Sequence, residues 1–340
     1  MSRVFVHGHG AVSPAGWGVP AMRTSLEQGR PLPVQPMPRP GWEKPLQFRP
    51  VPPPPAKPAF LAHARLRRAS PMAHYTLGAA LEALGDDAEL VKSGALRLGI
   101  VACTMTGGLS YSRRFYEEVL QDPATASPLV FPETVFNAPA SHLSAFLGTD
   151  TVNYTLVGDA AAFLQGLAVA VQWLDDGVAD ACIVIGAEES DWTAADALRL
   201  FERHAVHTTG AGALYLKAQC PAAGAVELTA VTDLFCATRT AGRNGAAQKM
   251  RAQLPGDAPN ELLCASESDN AAWDGWKGGR MAPLAILGEA FAASAAWQCV
   301  AACDALQRCQ YEAANVSITG AGRQTIGARF VKPHFQKTEP

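Results

Sequence analysis

Six consecutive residues, Ala181-Cys182-Ile183-Val184-Ile185-Gly186, carry no polar side chain. A run of this length with β-branched residues reads as a strand covered on both faces, not as an amphipathic strand open to water on one side. Such a strand needs a layer above and a layer below. An alanine-crowded segment, Ala160 to Leu174, precedes it and reads as a helix packed closely on all sides. Together they restrict the chain to a layered α/β architecture.

The same alternation recurs along the chain. Strands are expected at Arg3 to His7, Arg97 to Cys103, Thr151 to Val157, Ala211 to Leu216, Ala225 to Asp233, Glu261 to Ala265, Val316 to Thr319 and Ala328 to Lys332. Helices are expected at Ala21 to Gln28, Leu109 to Leu120, Gly245 to Leu254 and Leu287 to Leu306. Ser70-Pro71 is an N-cap followed by proline at the first helical position, which starts a helix running to about Leu84. Residues 31–58 hold 12 prolines and cannot form a regular helix or a central strand, so they read as an extended connector. Two similar halves, 1–205 and 206–340, fit an internal duplication.

With 340 residues, 48% of them hydrophobic, the chain can bury one large domain or two fused medium ones. The formal charge of −3 gives no field that favours nucleic acid or an anionic membrane. No apolar run is long enough to span a bilayer, and the N-terminus lacks a signal pattern, so a cytoplasmic location is expected. The eight cysteines form no CxxC pair and read as free buried thiols.

Four segments in order resemble the β-ketoacyl synthases of fatty acid and polyketide synthesis. They are Val4 to Gly16, Arg97 to Leu109 with its Gly107-Gly108 turn, Ala179 to Glu188, and Gly210 to Leu214. The last is similar to the strand that opens the family's second half. The resemblance implies a thiolase-like, duplicated α-β-α-β-α sandwich, here with shortened cap regions in the 31–58 connector and between Asp233 and Glu261.

The resemblance also implies a reaction centre: a cysteine at a helix N-terminus, two histidines and a lysine. Aligned on flanking residues, the cysteine falls on Val157, the first histidine on Ser266, the lysine on Leu284 and the second histidine on Glu289. A late gate loop falls on Gly320-Ala321-Gly322-Arg323, without its phenylalanine. Valine offers no lone pair, and a carboxylate at 289 has the wrong sign for stabilising an enolate. No catalytic residue, bound cofactor or metal is therefore expected, and no condensing activity from the chain alone.

The resemblance implies instead a chain-length factor, the non-catalytic partner of a ketosynthase in type II polyketide, aryl-polyene or fatty-acid-like biosynthesis. Such a subunit forms a heterodimer, with the Thr151–Val157 strand at the interface, and shapes the partner's acyl tunnel. That tunnel receives phosphopantetheine-linked chains from acyl carrier protein. Leu109, Tyr111, Ser112, Phe115, Tyr116, Val135 and Phe136 are the expected gate or interface residues. The competing reading for this aromatic stripe is simple core packing. Arg65, Arg67 and Arg68 form a basic run that could meet an acidic carrier protein.

Two alternatives stay open. One is an acyl-thioester hydrolase using Ser266 with carboxylates from Asp159, Glu267, Asp269 and Glu289, for which no histidine base is evident nearby. The other is a homodimer that binds acyl groups or carrier protein without a ketosynthase partner.

Overall fold

The apolar run is a central strand: all residues of Ala181–Glu188 are buried in the computed structural model. The structure describes residues 3–203, 205–221, 223–238, 242–265 and 271–333. The chain opens with β1 (Val4–Ser13), β2 (Gly16–Trp17) and α1 (Val19–Gln28). The proline-rich connector carries only β3 (Gln35–Met37) and β4 (Leu46–Arg49). Next come α2 (Pro71–Leu84), α3 (Asp87–Lys92), β5 (Leu98–Thr104), α4 (Leu109–Gln121), α5 (Ala138–Leu147) and β6 (Asn153–Val157). Helix α2 starts where its sequence signal places it, with the Ser70 hydroxyl accepting from the Ala73 N–H.

The run continues with α6 (Ala161–Asp175), β7 (Ala181–Glu188), α7 (Trp192–Phe201), β8 (His207–Thr208) and β9 (Gly210–Lys217). The remaining elements are β10 (Val226–Val231), β11 (Phe235–Cys236), α8 (Gly242–Ala252), β12 (Glu261–Ala265) and β13 (Gly279–Met281). Last are α9 (Pro283–Leu287), α10 (Phe291–Gln307), β14 (Ala313–Thr319) and β15 (Gln324–Val331).

The duplication is written in the strand order. The main sheet runs β13-β12-β14-β15-β10-β1-β9-β7-β5-β6. Numbered within its own half, each set follows third, second, fourth, fifth, first. The directions repeat as well. β5 is parallel to β6 and β7, and β7 is antiparallel to β9. Correspondingly, β12 is parallel to β13 and β14, and β14 is antiparallel to β15. The two first strands, β1 and β10, join the halves.

Strand β9 therefore closes the first repeat, between β1 and β7, and does not open the second as its sequence suggests. The sequence cannot show this, because the pairing of β9 with β1 spans some two hundred residues. We propose the division between Lys217 and Val226 in place of 205/206.

Helix α10 touches strands of both halves as well as α6, so these two helices form the middle layer. Helices α2 and α5 pack against the outer face of the first repeat. Helix α8 covers the second with Trp273. The layers follow the α-β-α-β-α order. Close packing rests on absent side chains: a Cβ on Gly186 would lie 2.2 Å from the Ala292 carbonyl oxygen.

Three expectations need correction. The helix buried on all sides is α10, whose residues from Phe291 to Leu306 are all buried, not α6, which exposes Gln165, Ala168 and Gln172. The expected helix 287–306 is broken at Gly288, whose φ of 106° ends α9. Backbone pairing diverts the chain there: the Thr208 N–H donates to the Glu289 carbonyl, and the Glu289 N–H donates to the Val206 carbonyl. Finally, the aromatic stripe of α4 is not core, since none of that helix's residues is buried.

Candidate functional site

Val157 ends β6 at the turn into α6, as the sequence predicts, and is 55% exposed. It lines an apolar cavity of about 590 Å³ with Met105, Leu198, Phe201 and Phe291. Asp159, Ala321, Gly322 and Gln324 complete one side. The gate-loop positions thus reach the same space as the nucleophile position, although the loop's own phenylalanine is missing.

Helices α6 and α10 both begin beside this space, so two partial positive charges and several free N–H groups point toward it. The chain fills both ends with its own carboxylates. Asp159 accepts from the Ala161 N–H at 3.1 Å and from the Gly322 N–H at 2.9 Å. Glu289 accepts from the Phe291 N–H at 2.6 Å. Burial pushes the Glu289 carboxyl up to about 7 against that hydrogen bond, and the charges of Asp159 and Glu188 push it the same way. Phe291 is held at φ 42°, a left-handed conformation that is unusual for an aromatic residue.

A histidine does stand here, contrary to expectation. His207 donates from Nδ1 to the Glu289 carbonyl oxygen at 3.0 Å, and its ring lies 5.7 Å from that of Phe291. It is 2% exposed, and burial pushes its pKa down to about 4, so it is neutral at pH 7. Its Nε2 is buried without a partner. The sequence hides this neighbour because β8 reaches Glu289 only through the long-range bridge.

The floor of the site is fastened by two consecutive acids. Glu188 is wholly buried and accepts from the Met105 N–H, the Thr106 N–H and the hydroxyls of Thr104 and Thr106. Burial nevertheless pushes its carboxyl up to about 7. Glu189 accepts from the Ser110 N–H and hydroxyl, which caps α4, and burial raises its pKa as well. Asp191 caps α7 through the Thr193 N–H and also receives Arg113 of α4.

The structure gathers the predicted positions unevenly. Val157 and Asp159 line the cavity, and Glu289 stands one residue behind the lining Phe291. Leu284, at the lysine position, sits half-buried on α9 and does not line it. Ser266, Glu267 and Asp269 lie outside the described residues. Helix α7, which builds one wall through Ala194, Ala197, Leu198 and Phe201, is absent from the sequence reading. Its signal was present, as Asp191 at the N-cap before an alanine- and leucine-rich run.

The gate candidates form a separate surface. Tyr116, Val135 and Phe136 are exposed, and Leu109 is half-buried at the start of α4. Phe115 stacks on Phe131 at 5.4 Å, Tyr111 donates to the Arg68 carbonyl, and Ser112 donates to the Gly108 carbonyl. None of them lines the cavity. Among the described residues β6 pairs with β5 alone and leaves its other edge open, with Tyr154 52% exposed.

Among the described residues no cysteine lines the cavity. Cys103 is the cysteine at the end of the neighbouring strand β5, 1% exposed, with its thiol pushed far above the ordinary range by burial. Among the described residues, no group of three or more His, Cys, Asp or Glu side chains is placed to hold a metal ion, and no helix is long and apolar enough to cross a membrane.

Residues 1–213 match the family described as beta-ketoacyl synthase, N-terminal domain. No curated protein matches the chain. Among solved structures, one of a type II PKS acyl-carrier protein in complex with its ketosynthase bound to the hexaketide (AntDE:AntF) is similar, with a TM-score of 0.80 and 18% identity. That match covers 98% of this chain and 99% of the other. The ishigamide ketosynthase/chain length factor gives a TM-score of 0.78 at 18% identity over 98% and 100% of the two chains. A beta-ketoacyl synthase from Burkholderia phymatum STM815 gives 0.75 at 17% identity over 98% and 100%. These identities speak for the fold alone. The family match over residues 1–213 and the duplicated sandwich agree: the chain belongs to the beta-ketoacyl synthase family.

Proposed function

We propose that the chain is a non-catalytic ketosynthase-like subunit of the chain-length-factor type. It pairs with an active β-ketoacyl-carrier-protein synthase and shapes that partner's acyl tunnel in type II polyketide, aryl-polyene or fatty-acid-like biosynthesis. The observation that carries this reading is the nucleophile turn. Val157 cannot attack an acyl thioester, and the helix ends that would stabilise a thiolate or enolate are held by Asp159 and Glu289.

Pairing is favoured by the open edge of β6, a row of backbone groups that a second sheet can complete. Exposed Tyr116, Leu120, Leu129 and Phe131, on α4 and the segment after it, add apolar surface of the kind a partner covers. Such a face fits a partner of the same fold across a two-fold axis. The partner supplies the cysteine and receives phosphopantetheine-linked chains, while the α4 aromatics limit their length. Carrier protein finds an opposite charge in Arg67 and Arg68, exposed without ion-pair partners among the described residues, and in Arg65, whose Nε donates to His142 at 3.2 Å.

Co-expression with a cysteine-bearing ketosynthase from the same gene neighbourhood tests the reading. A stable heterodimer, with a ketosynthase that makes defined products only in that complex, supports it. Two chains that never co-purify, with a ketosynthase fully active alone, refute it. A monodisperse homodimer that binds carrier protein by itself would favour the alternative reading.

A further inference from the structure

The cavity beside Val157 has lost its reactive group but not its volume. At about 590 Å³ it is large enough for a small ligand, and its lining is mostly hydrocarbon. Asp159 is the one charged side chain lining it among the described residues. That carboxylate is 7% exposed. It makes no ion pair with any described Lys, Arg or His, and neighbouring Arg323 is exposed and does not pair with it.

A buried carboxylate ordinarily has a cation or a full set of donors. Among the described residues Asp159 has two backbone donors, Ala161 and Gly322, on oxygens that offer about four acceptor sites. Glu289 stands close enough to feel the charges of both Asp159 and Glu188. Asp159 therefore sets a carboxylate in the cavity wall, in an apolar setting where charges are weakly screened.

We propose that this cavity binds a small amphiphile joining an apolar chain to a protonated amine, with Asp159 as its counter-charge. The chain lies against Leu198, Phe201 and Phe291, and the ammonium donates to the free lone pairs of Asp159. A carboxylate-bearing chain of the same length is excluded by like charge. An alcohol of that length makes the apolar contacts but lacks the ion pair. The site does not depend on a partner subunit, so its failure would leave the pairing reading intact.

Calorimetric titration of the whole chain at neutral pH with octylamine, octan-1-ol and octanoate tests this. Octylamine should bind about ten-fold or more tighter than the alcohol, with no measurable heat from octanoate. Ala197→Trp blocks the cavity from an exposed position on α7 and should abolish binding while leaving the circular dichroism spectrum unchanged. Asp159→Asn should bring amine and alcohol within about two-fold of each other. Three outcomes would overturn the proposal: no binding of octylamine, octanoate binding as tightly as octylamine, or octylamine binding untouched by Ala197→Trp. The ligand series in the unaltered chain stands even if the Asn variant does not fold.

Discussion

Glu188→Gln separates the two forces acting on the most buried carboxyl of the site. Four donors surround it and favour the ionised form, while complete burial opposes ionisation. Burial wins if the carboxyl titrates at about 7 in the fold, against an ordinary value of 4.5. Between these values the folded state binds the proton that the unfolded state has released, so stability must fall as pH rises. Integrated from pH 5 to pH 8, that one group costs about 2 to 3 kcal/mol. Glutamine is neutral throughout and carries no such term. Whatever fixed cost its misplaced amide adds at the Met105 N–H cancels when the two proteins are compared across pH. Urea unfolding followed by tryptophan fluorescence at pH 5, 6, 7 and 8 therefore reads the effect directly. The free-energy difference should move toward the Gln variant by about 2 to 3 kcal/mol over that range. A difference that stays constant with pH would refute the reasoning: the carboxylate would then be ionised throughout, with its four donors outweighing desolvation.

Acid should act on the opposite side of the scale through Asp304, where bonds from His9 and Arg23 overcome burial and pull the carboxyl down to about 2. Its stabilisation is present above pH 4 and lost as pH falls toward 2, and Asp304→Asn should flatten that limb by about 2 kcal/mol in acid unfolding curves. Gly8→Ala should yield insoluble or strongly destabilised protein, because the new Cβ would lie 2.0 Å from the Ala83 carbonyl oxygen of α2; a soluble variant with unchanged Tm would contradict this packing. Val157→Cys should give no condensation product with acyl and malonyl carrier proteins by mass spectrometry, and detectable product would overturn the non-catalytic reading. In the reconstituted complex, Tyr111→Ala or Phe115→Ala should lengthen the product; unchanged length in both would count against the α4 gate.

The sequence speaks clearly where a physical signal is local. The Ala181–Gly186 run, the Ser70-Pro71 cap and the glycine turn at 107–108 each mark an element that the structure places within a few residues. It is silent where meaning depends on distant neighbours. Helices α6 and α10 are both rich in alanine and both touch strands of the two halves, yet only α10 is buried at every residue from Phe291 to Leu306, so composition alone could not rank their burial. The break at Gly288 is enforced by pairing with β8, some eighty residues earlier in the chain. For the same reason His207 was not visible as a neighbour of Glu289. At the site, Val157 and Glu289 were legible as losses, but that Asp159 and Glu289 take over two helix ends was not, because side-chain capping depends on where the helices point.

That takeover bears on how the site was dismantled. Removing a nucleophile from a helix N-terminus leaves N–H groups and a positive dipole end facing an apolar cavity, which is costly unless an acceptor arrives. At α6 the acceptor is Asp159, two residues past the valine, and it also ties down the loop at Gly322. At α10 it is Glu289, at the position where the family resemblance places a histidine. On the proposed non-catalytic reading, each position exchanges a chemical group for a structural one. The packing beneath them permits no such latitude: Gly186 lies against the Ala292 carbonyl, and every residue of α10 from Phe291 to Leu306 is buried. A chain drifting toward disuse has no reason to keep both helix ends satisfied while its reactive groups disappear. A chain kept for its shape does, since a frayed α6 would loosen the turn at Val157 and with it the open edge of β6.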